Sequence, residues 1–82
     1  MASQLKRHNG PAIRALRIKD GVKPGPFATK AMVSYAHLDN IENERKEASP
    51  EVLYRIAAAL NVPIEAIVRD PSFLVTSDRV PA

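Results

Sequence analysis

Residues 26–43, PFATKAMVSYAHLDNIEN, decide how this chain is read. Pro26 can open a helix at its first position, where a missing N–H costs nothing. Phe27, Ala28 and Ala31 follow at helical spacing. Met32 and Val33 form a tight turn, and Ser34 is a small polar cap for another helix. In that second helix Leu38 and Ile41 share one face, while Ala36, Asn40 and Asn43 lie opposite. The stretch therefore predicts a short helix over 26–31, a turn, and a capped amphipathic helix over 34–43.

Upstream, Asn9-Gly10-Pro11 is a helix start, Ile13 and Leu16 stand i, i+3, and Gly21 supplies a left-handed stop, giving a helix near 11–20. Lys23-Pro24-Gly25-Pro26 is expected to stay non-helical until Pro26, since a proline restricts the residue before it. Downstream, Ser49-Pro50-Glu51 combines cap, proline and first-turn acid. Leu53, Ile56, Ala57 and Leu60 then make an amphipathic helix over 50–60, which Asn61 can end. Pro63 opens a last short helix over 63–68, with Ile64 and Ile67 facing inward. The expectation is a compact all-α domain of five helices without an internal sheet. Its core should hold Ile13, Leu16, Phe27, Ala28, Val33, Leu38, Ile41, Leu53, Ile56, Leu60 and Ile67. Residues 1–9 read as an N-terminal arm, 10–69 as the domain and 70–82 as a tail. Within the tail, Phe73-Leu74-Val75 is a brief apolar run where a strand or a partner contact could appear.

Composition narrows the function. Eighty-two residues, 45% apolar and 26% charged, suit one small soluble globule. Without cysteine there are no disulfides or thiolate metal sites, and His8 and His37 are too far apart to suggest zinc. No apolar run reaches the ~18–20 residues of a membrane span, and Met1–Asn9 lacks the apolar middle of a secretory signal. The chain reads as cytoplasmic, with no cofactor. Net charge is +3, but Lys6, Arg7, Arg14, Arg17, Lys19, Lys23 and Lys30 face only Asp20 in the first thirty residues. Such a basic third suits a polyanionic partner or a solvated surface.

Catalysis finds no support. Ser34, His37 and Asp39 have the letters of a hydrolase triad, but their helical spacing prevents Asp39 from orienting His37 towards Ser34. Asp39 to Pro50 has the length of a calcium loop, yet Ile41 and Glu44 occupy positions that need an oxygen ligand and a glycine.

A short helix, a turn and a helix with an uncluttered polar face form the helix-turn-helix layout. The polar face here is Ala36, Asp39, Asn40 and Asn43, short side chains suited to reading base edges at close range. From Gly10 to Ile67 the chain resembles, without a gap, the phage-repressor/Cro-type (xenobiotic-response-element-type) helix-turn-helix domains. The resemblance rests on Ile13-Arg14-x-Leu16-Arg17, Gly21-Val22, Phe27-Ala28-x-x-Ala31, Val33-Ser34, Ile41-Glu42-Asn43, Arg45-Lys46 and Ser49-Pro50 through Val62. It implies a lambda-repressor-like fold and a transcriptional regulator, repressor-like, that binds double-stranded DNA as a homodimer. By position, it implies that Tyr35, Ala36, His37 and Asn40 read bases and that Asn43, Arg45 and Lys46 hold phosphates. Tyr35 could instead pack against the turn and His37 simply be exposed, while Glu42 is expected to pair with Arg14 or Arg17. Lys6 and Arg7 are either a solvated terminus or an arm onto DNA.

The sequence departs from the family pattern at three places. Pro24-Gly25-Pro26 replaces a polar residue that usually touches DNA. Met32 stands where the turn usually has glycine, and Glu44 replaces the glycine after the recognition helix. Glu44 is expected to add a negative charge close to where a phosphate would lie. The alternative function is an antitoxin-type protein-binding module with secondary DNA binding, its partner engaged through the tail. A homodimer interface is expected on Ile64, Ile67 and Val68, extended by Phe73 and Leu74.

Overall fold

The computed structural model describes residues 6–74, and among them the regular structure is helical. Four α-helices follow in order: α1 (Gly10–Lys19), α2 (Pro24–Ala31), α3 (Tyr35–Glu42) and α4 (Pro50–Leu60). Three of them start on a side-chain cap, as their sequences dictate. Asn9 Oδ1 accepts from the Ala12 N–H at 3.0 Å, Ser34 Oγ from His37 at 3.0 Å and Ser49 Oγ from Val52 at 3.2 Å. Each cap satisfies an N–H that has no partner inside its helix.

Two helical expectations are corrected. α2 begins at Pro24 rather than Pro26. Both prolines fall in the first turn, where N–H groups have no intrahelical partner to lose. Gly25 between them has no Cβ to clash with the ring that follows. The first amide the helix needs is that of Phe27, which donates to the Lys23 carbonyl at 3.1 Å. The expected fifth helix is a 3-10 turn, Ile64–Ile67, and another 3-10 turn spans Pro71–Leu74. Four α-helices therefore replace the five expected.

All four helices stop in the same way, with a left-handed residue after the last turn and paired bonds back to its carbonyls. At α1 that residue is Gly21, with φ 74°. At α2, α3 and α4 it is Met32, Glu44 and Asn61, with φ 61°, 58° and 58°. After α3, the Glu44 N–H donates to Ile41 at 3.1 Å and the Arg45 N–H to Asn40 at 2.8 Å. A side chain in this conformation costs ~1–2 kcal/mol outside glycine and, to a lesser degree, asparagine.

The core consists of Ile13, Phe27, Leu38, Ile41, Leu53, Ile56, Leu60 and Ile67, with Ala28, Ala31, Ala48, Ala57 and Val68 filling between them. Leu16 and Val33, expected inside, pack against its edge partly buried. α2 packs on α3 and α4, α1 lies against α3, and the Ile64–Ile67 turn closes the interior against α4 and α1. Ile67 and Val68 are thus spent within the chain and cannot form the exposed dimer patch expected of them. The side chains of Phe73 and Leu74, and all of Val75, lie outside the described residues, as do Met1–Leu5.

The segment just before α1 is bound to the end of the fold. His8 bridges Val68 in an antiparallel pair, the Asn9 N–H donates to Ile67 at 2.9 Å, and the Arg69 N–H donates to Arg7 at 2.7 Å. The His8 ring is fully buried, with Nε2 2.9 Å from the Ile41 carbonyl oxygen. A carbonyl only accepts, so that nitrogen carries the proton. Among the described residues His8 Nδ1 has no hydrogen-bond partner, the Glu47 carboxylate being 4.0 Å away.

Candidate nucleic-acid interface

α3 is held from behind and from both ends. Leu38 and Ile41 are buried under it, and with 3.6 residues per turn Ala36, Asn40 and Asn43 must share the opposite face. Ala36 and Asn43 are exposed, Asn40 is half-buried, and Tyr35 is 58% exposed at the start of the helix. His37, half-buried, stands on the other flank. Of the residues expected to read bases, Tyr35, Ala36, His37 and Asn40 therefore all lie on α3 and keep some access to solvent.

The turn before α3 is pinned by α4. Arg55 Nε donates to the Ala31 carbonyl at 3.1 Å and Nη2 to Met32 at 3.4 Å, while Nη1 meets Glu51 at 3.0 Å. Arg55 thus satisfies carbonyls left open at the end of α2. Sequence reasoning missed it, although Glu51 and Arg55 at i, i+4 were a visible pair.

At the far end, Glu42 is buried against α1. Its carboxylate takes two bonds from Arg17, Nε at 2.7 Å and Nη2 at 3.0 Å, and Arg17 Nη1 also donates to the Val22 carbonyl at 2.9 Å. The bond to Glu42 raises the Arg17 guanidinium above its ordinary value against the opposing effect of burial. Of the two partners expected for Glu42, the fold selects Arg17. Arg14, one turn away, lines with Arg17 and Glu42 the groove that Pro24, Asp39 and Asn43 border, which places another cation beside α3.

Glu44 does not present its charge outward. Its carboxylate accepts from the Gly10 N–H at 2.7 Å and from Arg69 at 2.7 Å, and its side chain is 15% exposed. The carboxylate thus serves the electropositive N-terminus of α1. The charge expected near a phosphate is spent inside the protein.

Beyond α3, Lys46 is exposed and Arg45 is engaged. Arg45 Nη1 lies 2.9 Å from Asp39 Oδ2 and 3.1 Å from Asn40 Oδ1. Asn43 Nδ2 donates to the Asp39 carbonyl at 2.9 Å and to its Oδ1 at 3.1 Å. Asp39 therefore holds both Asn43 and Arg45, a role that its place on the polar face did not disclose.

A helix-turn-helix family model of the Cro/C1 type matches residues 13–67. The chain belongs to this family. Its helix-turn-helix domain is similar to the transcriptional regulator ClgR of Mycobacterium tuberculosis, 33% identical over 70 residues, or 85% of this chain and 62% of that protein. The chain thus spans 62% of the length of the curated relatives it matches. The crystal structure of the clp gene regulator ClgR from Corynebacterium glutamicum superposes with a TM-score of 0.65 at 34% identity, covering 68% of this chain and 73% of that one. The restriction-modification controller protein C.AhdI from Aeromonas hydrophila shares the fold, with a TM-score of 0.68 at 19% identity over 70% of this chain and 86% of that one.

Proposed function

We propose that this helix-turn-helix domain is a transcriptional regulator that binds double-stranded DNA with α3 in the major groove. One observation carries the reading: α3 is locked through Glu42, Leu38 and Ile41 behind it, while Ala36, Asn40 and Asn43 stay on its outer face. A rigid helix with short outward side chains can approach base edges closely. Its relatives in Mycobacterium tuberculosis are named transcriptional regulators, which agrees.

In this proposal Tyr35, Ala36, His37 and Asn40 face the bases. Asn43 and Lys46 meet the backbone with Arg45 beside them, and Arg14 adds a phosphate contact from α1. The unit that binds spans residues 10–69 and acts in the cytoplasm as a homodimer, with half-sites about one helical turn (~34 Å) apart. Selection of bound sites from random duplexes tests both statements. An enriched motif is expected, with two-fold symmetry. No enrichment would overturn DNA reading, and a motif without symmetry, bound one to one, would overturn the dimer.

A further inference from the structure

We infer that Arg45 governs which base Asn40 reads, by holding the Asn40 amide in one orientation; the inference rests on the DNA-binding reading of α3. Arg45 is anchored to α3 twice. Its backbone N–H closes the helix end on the Asn40 carbonyl at 2.8 Å, and its guanidinium reaches Asp39 at 2.9 Å and Asn40 Oδ1 at 3.1 Å. Asp39 is itself tied to Asn43 at 3.1 Å, so the carboxylate that positions Arg45 is fixed in turn.

The chemistry of the guanidinium sets the amide. Arginine carries only donors, so the Asn40 atom it meets has to be the oxygen, and an amide turned the other way would set N–H against N–H. Asn40 Nδ2 therefore points away from Arg45, with both of its hydrogens unengaged among the described residues. A cation on Oδ1 also draws electron density from the amide, which makes Nδ2 the better donor and Oδ1 the poorer acceptor. Free asparagine pairs with adenine by donating to N7 and accepting from N6. Asparagine polarised in this way favours guanine, whose N7 and O6 both accept. Arg45 is a positioning residue for specificity, and a phosphate clamp only secondarily.

The test uses the whole chain and two duplexes, identical except for G·C or A·T at the position whose preference Asn40→Ala abolishes in site selection. The unaltered protein is expected to favour the guanine duplex about tenfold. Arg45→Ala should bring the ratio close to one, chiefly through the guanine duplex. In the Asn40→Ala background, the same change should leave the ratio where it was. Arg45 is exposed, so the variant is expected to keep its helical circular dichroism and its melting point within a few degrees. Equal weakening on both duplexes, with the salt slope lowered by about one, is the signature of a phosphate contact and would overturn the inference. A preference for adenine in the unaltered protein would overturn it as well. If Asn40→Ala alters no position of the selected motif, the recognition face itself is misassigned, an outcome that site selection reports before Arg45 is touched.

Discussion

Arg17 and Glu42, twenty-five residues apart in the chain, meet as a two-pronged ion pair in which each side chain is only 7% exposed. The pair joins α1 to the end of α3. Removing one partner leaves the other charge buried and unmatched, a loss of ~3–5 kcal/mol. Arg17→Ala and Glu42→Ala should each lower urea stability by about that amount. The double change Arg17→Met with Glu42→Leu should restore most of it, because apolar packing can replace a buried pair. Since the Arg17 pKa is raised on folding, its contribution is fully present below the ordinary guanidinium range and is lost only above it. No alkaline unfolding step below about pH 12 should trace to this residue.

Gly10 opens α1 where that helix crosses the end of α3. A Cβ at this position would lie 2.6 Å from the Ile41 carbonyl oxygen and closer still to that of Glu42. Both obstacles are backbone and cannot rotate away. Gly10→Ala should cost ~1–3 kcal/mol through displaced packing, read by chemical denaturation. Lys30→Ala, at an exposed position of α2, serves as the control, with a change near zero. Equal effects at the two positions would show that the crossing is not tight.

The left-handed residues make a graded prediction. Met32 holds φ 61° with its side chain 71% exposed, so Met32→Gly should be neutral or stabilise by up to ~1 kcal/mol. Glu44 is different, because its carboxylate binds Gly10 and Arg69. Glu44→Ala keeps the strained backbone and loses both bonds, whereas Glu44→Gly loses the bonds but relieves the strain. Melting temperatures should fall in the order wild type, glycine, alanine. An alanine variant as stable as wild type would mean that neither bond contributes.

On DNA, affinity and specificity should separate. Asn40→Ala is expected to cost ~1–3 kcal/mol on the selected site and little on random duplex. Lys46→Ala should weaken both alike and lower the salt slope by about one. Titrations at several salt concentrations distinguish the two. Loss of affinity on both DNAs from Asn40→Ala would remove Asn40 from the base-reading face.

Local rules made much of this protein legible from its residues. Ser49-Pro50-Glu51 located the start of α4, Ser34 capped α3, and Gly21 and Asn61 marked helix ends, because caps and turns are settled within four residues of chain. Periodicity identified the core from Ile13 to Ile67 for the same reason. The proline rule held at Lys23, which is extended, and failed at Gly25, which turns helical before Pro26 because it has no Cβ to meet the ring. What no local rule could decide was pairing at a distance. His8 lies in a polar stretch without periodicity, and only closure of the chain on Val68 buries it beneath Ile41. Glu44 reads as a charge beside DNA until folding brings Gly10 and Arg69 to it. Arg14 and Arg17 are equivalent partners for Glu42 on paper, and the rotation of α1 against α3 chooses between them. Charge attraction is non-specific along a sequence, so which carboxylate meets which cation is set by where the packed helices place them.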